Sequence, residues 1–443
     1  MNKKITRRNF VQVGGFATAS ALLTNPLSGE SAVFRRNNSN TLRVGLIGCG
    51  GRGTAAAEEA LNADDNVVLT AMADAFQDHL DNSYNRLKNN MKDKVQVPER
   101  NKFVGLESFQ KLIDSDVDVV LLAAPPFFRP LHLEACVQAG KHVFCEKPFA
   151  VDAPGLRRVI AASEEAKDKN LALVSGFVWR SDFSKRETFN RVLAGDLGKI
   201  MTAESTYDTG ELWSFERKKE WSNFEFQLRN WLYYSWLSGD HIIEQAIHSL
   251  DMMQWALGDQ LPISVVGSGG RQKRIDPKFG DVFDHFALRY EYEDGVTGYF
   301  SCRQQNNTTN SYGVKFIGDE GTCVVDVLTG EHSITGKNPW EYNSENTFGD
   351  DKAYENQNTR GMYQIEHDEL FESIRKNTPK FDGDWMVKSN LIALAGRMAA
   401  YTGQRILIED ALASEAMILR PEDASWESYY NTPVAIPGFT TKF

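Results

Sequence analysis

Thr41-Leu42-Arg43-Val44-Gly45-Leu46-Ile47-Gly48-Cys49-Gly50-Gly51-Arg52-Gly53 is the stretch that decides the fold. A short apolar run ends in Gly-x-Gly-x-x-Gly and opens into a helical pattern reaching about Asn62. Apolar runs of this length bounded by glycine read as buried parallel strands, and glycines at this spacing form a dinucleotide-binding turn. Gly48 permits the tight turn, Gly50 the close approach of a pyrophosphate, and Gly53 the packing of helix on strand. Gly51 and Arg52 share that loop and are expected to help hold the cofactor. The helix start offers unpaired amides and the positive end of its dipole to phosphates.

Outward from this turn, Val67–Asp74 reads as the second strand. Asp74 stands 21 residues after Gly53, where a carboxylate takes the adenosine ribose hydroxyls. It repels a 2′-phosphate, and no lysine or arginine occurs between Asp74 and Arg86, so NAD is expected rather than NADP. Helical patterns at 77–92, 107–113 and up to Gln138 alternate with strands Val117–Ala123 and His142–Cys145. This alternation predicts a doubly wound parallel sheet, an α/β Rossmann domain over residues 41–165. Ala124 and Pro125 fall at the carboxyl end of a strand, where such sheets hold ligands.

Residues 166–443 are expected to form a second α/β domain. Phe283–Tyr292, Val296–Arg303, Tyr312–Gly318 and Thr322–Leu328 read as long strands joined by the turns Glu293-Asp294-Gly295 and Gly318-Asp319-Glu320-Gly321. They predict a large, mainly antiparallel open sheet, with helices on one face and the other free for substrate or subunit pairing. Residues 336–358 read as a polar surface loop. Helices follow at about 361–376 and 384–402, the second packing back toward the first domain. Between Tyr207 and Trp236 lie ten aromatic residues. Core or interface packing and stacking on a sugar ring are both open readings of this segment, and Trp236 is a candidate substrate contact.

Composition narrows the partners. No apolar stretch approaches the roughly 20 residues of a membrane span. Residues 1–40 carry Lys3, Lys4, Arg7, Arg8, Arg35 and Arg36 against Glu30, so the net −11 of the chain resolves into +5 here and −16 beyond. Such an acidic body repels nucleic acid and suits a small neutral substrate. Cys49, Cys136, Cys145, Cys302 and Cys323 lack CxxC spacing, so neither a disulfide framework nor a metal site is expected. The basic start, Arg7-Arg8-Asn9-Phe10-Val11 and a weakly apolar run through Leu23 resemble a twin-arginine signal, the address for exporting folded proteins. Residues 1–40 are thus expected to be a signal peptide and linker that engages the twin-arginine machinery. The protein is expected in the periplasm.

Ala139-Gly140-Lys141-His142-Val143-Phe144-Cys145-Glu146-Lys147-Pro148 follows the glycine turn at a telling distance. AGKHVxxEKP together with GxGxxG resembles the Gfo/Idh/MocA oxidoreductases. The resemblance implies a Rossmann domain followed by a domain whose open sheet faces the nicotinamide, and oxidation or reduction of sugars and cyclitols at a carbinol carbon. It also implies that Lys147 holds the substrate hydroxyl and exchanges its proton, while Glu146 orients that lysine or binds a ribose.

The family's substrate helix carries an Asp four residues before a His. Here Glu244 and His248 take those places in Ser238-Gly239-Asp240-His241-Ile242-Ile243-Glu244-Gln245-Ala246-Ile247-His248. The i, i+4 spacing puts both on one face of a helix running through Leu257. His248 is then the general base and Glu244 the carboxylate that fixes its tautomer, with His241 also in reach. Glu244 replaces an Asp, and Arg129 stands where many members carry a histidine, which marks Arg129 as a substrate candidate.

Together these features point to an exported, homo-oligomeric NAD-dependent oxidoreductase with tightly held cofactor, acting on CH–OH groups of a sugar or sugar derivative. Two alternatives stand beside it. One is a redox-neutral glycoside hydrolase that oxidises transiently, eliminates and reduces again. That branch favours a tyrosine–histidine pair, whereas Gln245 lies three residues before His248. The other is a non-catalytic carbohydrate-binding relative.

Overall fold

A computed structural model describes residues 40–343, 361–428 and 430–441. The twin-arginine segment lies outside the described residues, as does most of the stretch expected as a loop at 336–358.

Six parallel strands build the first sheet, in the order β3-β2-β1-β4-β5-β6. They are β1 Leu42–Ile47, β2 Val67–Asp74, β3 Lys102–Val104, β4 Val119–Leu122, β5 His142–Cys145 and β6 Leu173–Ser175. Helices α1 Gly51–Ala63, α2 Gln77–Met91, α3 Ser108–Ile113, α4 Arg129–Gln138 and α5 Ala153–Asp168 connect them. Covered on both faces, β1 and β4 are buried nearly throughout, which is why they read as unbroken apolar runs. Ala56, Ala57 and Ala60 form the buried face of α1, and side chains this small let the helix lie close on the sheet. Winding reverses between β1 and β4, so the crevice outside their carboxyl ends is the ligand position of such a sheet. The sheet runs past residue 165, because its sixth strand is Leu173–Ser175. Three residues are too few for a period to be legible.

The second sheet has nine strands in the order β14-β13-β12-β11-β7-β10-β9-β8-β15. Its strands are β7 Ile200–Thr209, β8 Ser264–Gly270, β9 His285–Glu291, β10 Thr297–Gln304, β11 Ser311–Gly318, β12 Gly321–Asp326, β13 Glu331–Gly336, β14 Trp340–Glu341 and β15 Ile406–Leu407. Only β7 and β10 pair in parallel. Along β9, Phe286, Leu288 and Tyr290 are buried while Ala287 and Arg289 are exposed, the alternation of a sheet with one covered face. In chain order the larger helices of this half are α6 Phe183–Ala194, α7 Asn223–Arg229, α8 Ile247–Ala256, α9 Met362–Arg375 and α10 Gly383–Thr402. α8 and α10 lie on the covered face. Met201 and Tyr299 on the opposite face are about half exposed.

Both late helices pack back on the first domain, not the second alone. From α9, Arg375 pairs with Asp64 at 2.8 Å, Gln364 Nε2 donates to the Glu59 carbonyl at 2.8 Å, and Leu370 and Phe371 enter the first-domain core. From α10, Asn390 Oδ1 accepts the amides of Phe149 and Ala150 at 2.8 and 3.2 Å.

The helix expected to carry both Glu244 and His248 and to run through Leu257 is broken. One helical turn, His241–Glu244, is followed by turn residues Gln245 and Ala246 before α8 begins. The amide of Ala246 donates to the carbonyl of His241, five residues back. That widened turn swings α8 out of line with the turn before it.

Candidate active site

The glycines divide into two kinds. A Cβ on Gly48, whose φ is +96°, would lie 2.4 Å from the Ala124 amide nitrogen, and one on Gly53 would lie 1.8 Å from the Gly48 carbonyl oxygen. The fold itself demands glycine at both positions. A Cβ on Gly50 or Gly51 would meet nothing within 4 Å, so these residues border open space. Helix α1 begins there with no side-chain cap and no acid in its first turn, leaving its first amides for an anion. At the end of β2, Asp74 accepts the Cys49 amide at 2.6 Å and the Phe76 amide at 2.8 Å. The carboxylate thereby anchors the glycine loop beside the ribose position while keeping lone pairs on both oxygens. Burial raises its pKa, against the pull of His79 and the two amides. An open backbone cradle, free helix amides and a carboxylate at its edge fit an NAD dinucleotide.

Arg52, in that loop, spends its guanidinium on carboxylates. Its guanidinium pairs with Glu146, with Glu59 at 2.8 Å and with Glu366 at 3.3 Å, and lies 4.6 Å from the Tyr363 ring centre. Burial opposes its charge, but the three carboxylates outweigh burial and raise its pKa. Glu146 therefore holds Arg52, not the neighbouring lysine. Arg129, expected at the substrate, is 3% exposed and donates to the carbonyls of Ala124, Glu146 and Pro148. It ties the loop after β4, which carries Ala124 and Pro125, to the loop after β5. A five-donor fork suits three carbonyls in a way no imidazole could.

Lys147, just past β5, reaches across to the second domain. Its Nζ donates to the Glu244 carbonyl and lies 3.3 Å from Glu244 Oε1. Among the described residues no hydrogen bond joins Glu244 to His248, because the chain bends between them. Glu244 thus steadies the lysine rather than the imidazole. His248 stands close enough to Lys147 that burial and then the ammonium charge drive its pKa well below the usual value. It is a neutral imidazole at pH 7. The His248 ring lies 5.1 Å from Trp179 and 5.9 Å from Phe177, and its Nδ1 is buried without a hydrogen-bond partner.

His241 does not join this group. Its Nδ1 is 3.0 Å from Asp240 Oδ1, its Nε2 is 3.4 Å from Cys302 Sγ, and the side chain is 3% exposed. Burial pushes the Cys302 thiol up, so this pair is core. All five cysteines are buried and free. Trp236 is core too: it donates to Gln227 Oε1 at 3.0 Å and packs against Phe127 and Tyr430, 3% exposed. The aromatic segment packs α7 and its neighbours on Phe76, Phe127 and Phe128 of the first domain.

Sequence reasoning missed Tyr207, Trp179 and Gln245. Tyr207 lies 6.1 Å from Trp179, and burial, then Glu244, raise its pKa. Tyr207 lies near the end of β7, where Thr206–Thr209 are all half-buried and show no alternation, and grouping it with the aromatic run hid it.

A switch-point crevice lined by a glycine turn and a lysine, facing a neutral histidine from a second domain, defines a dinucleotide-dependent oxidoreductase. Comparison with known families agrees. The oxidoreductase family with NAD-binding Rossmann fold (GFO_IDH_MocA) matches residues 42–174, and the GFO/IDH/MocA C-terminal domain matches residues 187–324, together more than half of the chain. The chain belongs to the Gfo/Idh/MocA family. A myo-inositol 2-dehydrogenase of Thermotoga maritima is 27% identical over 305 residues, 67% of this chain and 80% of that protein. A glycosyl hydrolase family 109 protein of Shewanella baltica is 26% identical over 221 residues, 46% of each chain. A levoglucosan dehydrogenase solved with NADH and levoglucosan shares the fold, with a TM-score of 0.62, 18% identity, and coverage of 83% of this chain and 99% of that one.

Proposed function

We propose that this protein is an exported NAD-dependent oxidoreductase that moves a hydride between bound NAD and a carbinol carbon of a sugar or sugar derivative. The observation that carries the reading is the convergence of Lys147, Glu244 and His248 beside the crevice into which Gly50 opens. Bound NAD supplies the hydride acceptor. Lys147, held by Glu244, hydrogen-bonds the substrate hydroxyl and leaves it poised for loss of its proton. His248, kept neutral by burial and by Lys147, takes that proton at Nε2. In the opposite direction the imidazolium returns it. Both named relatives with dehydrogenase activity, on myo-inositol and on levoglucosan, support a cyclic polyol or sugar as substrate.

Twin arginines at Arg7 and Arg8 support export, and a protein working away from the cytoplasmic NAD supply needs to retain its cofactor. The aromatic segment supports retention. Arg229 clamps Asp78 at 3.0 and 3.1 Å and stacks 3.9 Å above Phe76, directly beyond Asp74. The exposed Met201 and Tyr299 on the free sheet face support a homo-oligomer. Among the described residues no helix is long and apolar enough to cross a membrane.

Similarity to a family 109 glycosyl hydrolase favours a second reading, a redox-neutral glycosidase using the same proton groups. Mass spectrometry of the purified, denatured protein tests for resident NAD. Product analysis on free sugars and aryl glycosides then separates the readings: a keto sugar with NADH marks the dehydrogenase, and released aglycone without net NADH marks the glycosidase. Absence of both overturns the catalytic reading.

A further inference from the structure

Between Ile242 and Leu250 every residue is buried except Glu244, Gln245 and His248. Glu244 is engaged with Lys147, and His248 is the proposed base. Gln245 stands between them, and the orientation of its amide is dictated from behind. Its Oε1 accepts from Gln304 Nε2, and Gln304 Oε1 in turn accepts from Arg274 Nη2. Arg274 is itself fixed. It is 1% exposed, and its Nη1 donates to the Phe283 carbonyl at 2.8 Å. The turn carrying it is pinned by Asp284 Oδ2, which accepts the amides of Gln272, Lys273 and Arg274 at 2.7, 2.6 and 3.1 Å.

This chain has only one workable polarity. A guanidinium has donors and no acceptor and keeps its proton in proteins. The oxygen of Gln304 must therefore face Arg274, which turns its amide nitrogen toward Gln245. The oxygen of Gln245 must then face Gln304. What remains is the Gln245 Nε2 group, a pure donor that is neither buried nor hydrogen-bonded to any described residue. Burying an arginine with no carboxylate in direct contact is costly. Fixing the direction of two otherwise reversible amides is a return consistent with that cost.

We propose that Gln245 is a specificity-determining residue whose outward-locked N–H group reads a carbonyl-type oxygen on the substrate ring, either a carboxylate or an acetamido oxygen. The proposal rests on the dehydrogenase reading above and names the substrate class: pyranoses bearing such an oxygen. Lys147 is taken by the reacting hydroxyl, and the Gln245 Nε2 group presents only donors beside it, so at that second position an oxygen that accepts without donating is favoured over a hydroxyl.

Three probes of one configuration test it: methyl glucoside, methyl glucuronide and methyl N-acetylglucosaminide. Each is added to the NAD-loaded protein, and NADH formed in a single turnover is followed by absorbance. Wild type is expected to favour one or both carbonyl-bearing probes by about tenfold or more over the glucoside. The two arms show whether the carboxylate or the acetamido group is the one read. Gln245→Glu keeps the shape and the bond from Gln304 but replaces the donor with an acceptor, so the ratio of rates on the carbonyl-bearing probes to the rate on the glucoside should fall to one or reverse. Unchanged NADH fluorescence and melting temperature show that the variant is folded and loaded. Equal rates on all three probes in wild type, or an unaltered preference in the variant, overturn the proposal. Failure of all three to reduce bound NAD overturns the dehydrogenase reading first, and this assignment with it.

Discussion

Replacing Asp74 by Asn should erase the choice between NAD and NADP, and the structure sets the size of the effect. The carboxylate is 9% exposed and fixed by the Cys49 and Phe76 amides, so it cannot swing away from a 2′-phosphate placed at the ribose. Two unit charges about 5 Å apart in an effective dielectric of about 20 repel by about 3 kcal/mol. Solvent and salt reduce this to roughly 1.4–2.7 kcal/mol, a ten- to hundredfold preference for NAD. Asn removes the charge and keeps the shape, and the NAD:NADP ratio should fall to near one. The amide also points a nitrogen at one of the two backbone N–H groups, so stability should drop by about 1–3 kcal/mol. Calorimetric titration of protein stripped of nucleotide measures the ratio, and urea unfolding measures the stability. Because burial raises the Asp74 pKa, its charge is lost earlier on acidification than that of an ordinary Asp. Discrimination should therefore shrink as pH falls. Wild-type protein that binds NADP as tightly as NAD, or a variant that keeps its preference, would refute the reasoning.

Lys147→Met and His248→Asn should each lower turnover by about 10²–10⁴-fold while NADH fluorescence titration shows unchanged binding; loss of less than about threefold removes either residue from the proton path. His142 is held at about 4, chiefly by burial, and its neutral Nδ1 accepts the Ala172 amide at 2.9 Å. Its unfolded pKa is about 6.5, so its contribution is whole above that pH and is lost between about 6.5 and 4, costing about 2 kcal/mol at pH 5. His142→Asn should shrink the difference in urea midpoint between pH 7 and pH 5 accordingly, and an unchanged difference would contradict the assignment. Replacing Arg7 and Arg8 by Lys should leave folded, NAD-loaded protein in the cytoplasm by fractionation, and normal export of that variant would dismiss the signal.

Much of this molecule was legible where one local requirement decides a residue. Gly48 and Gly53 read correctly because backbone contacts at 2.4 and 1.8 Å exclude any side chain. Strands β1, β4 and β5 read correctly because two covered faces force unbroken apolar runs. Strands β3 and β6, three residues each, carry no period. Arg129 misled for a different reason. Its position relative to Pro125 matches a substrate residue of the family, but three backbone carbonyls brought together by two separate loops engage both terminal nitrogens of its guanidinium. Nothing near Arg129 in the chain announces a partner 17 or 19 positions away.

The helix break at Gln245 and Ala246 shows how such distant contacts decide chemistry. Four residues between Glu244 and His248 suggest one helix face, and in an unbroken helix the carboxylate would steady the imidazole. The turn His241–Glu244 instead begins at Asp240, held at φ +69°. The Asp240 carboxylate accepts the His241 amide, the Phe283 amide at 2.7 Å and the Tyr401 hydroxyl at 2.5 Å. Partners from β9's approach and from α10 thus fix where that turn starts, and the widened bond to His241 then redirects α8. Glu244 is left beside Lys147, and Gln245 is turned toward Gln304. A histidine without a carboxylate partner, beside an ammonium, stays neutral. That pairing gives a fixed donor and a neutral proton acceptor side by side, which is what oxidation of a carbinol requires. An Asp at 244 would be one methylene shorter and would reach less far toward the lysine across the domain boundary. The glutamate is therefore suited to the broken helix, where its carboxylate and its carbonyl both meet Lys147.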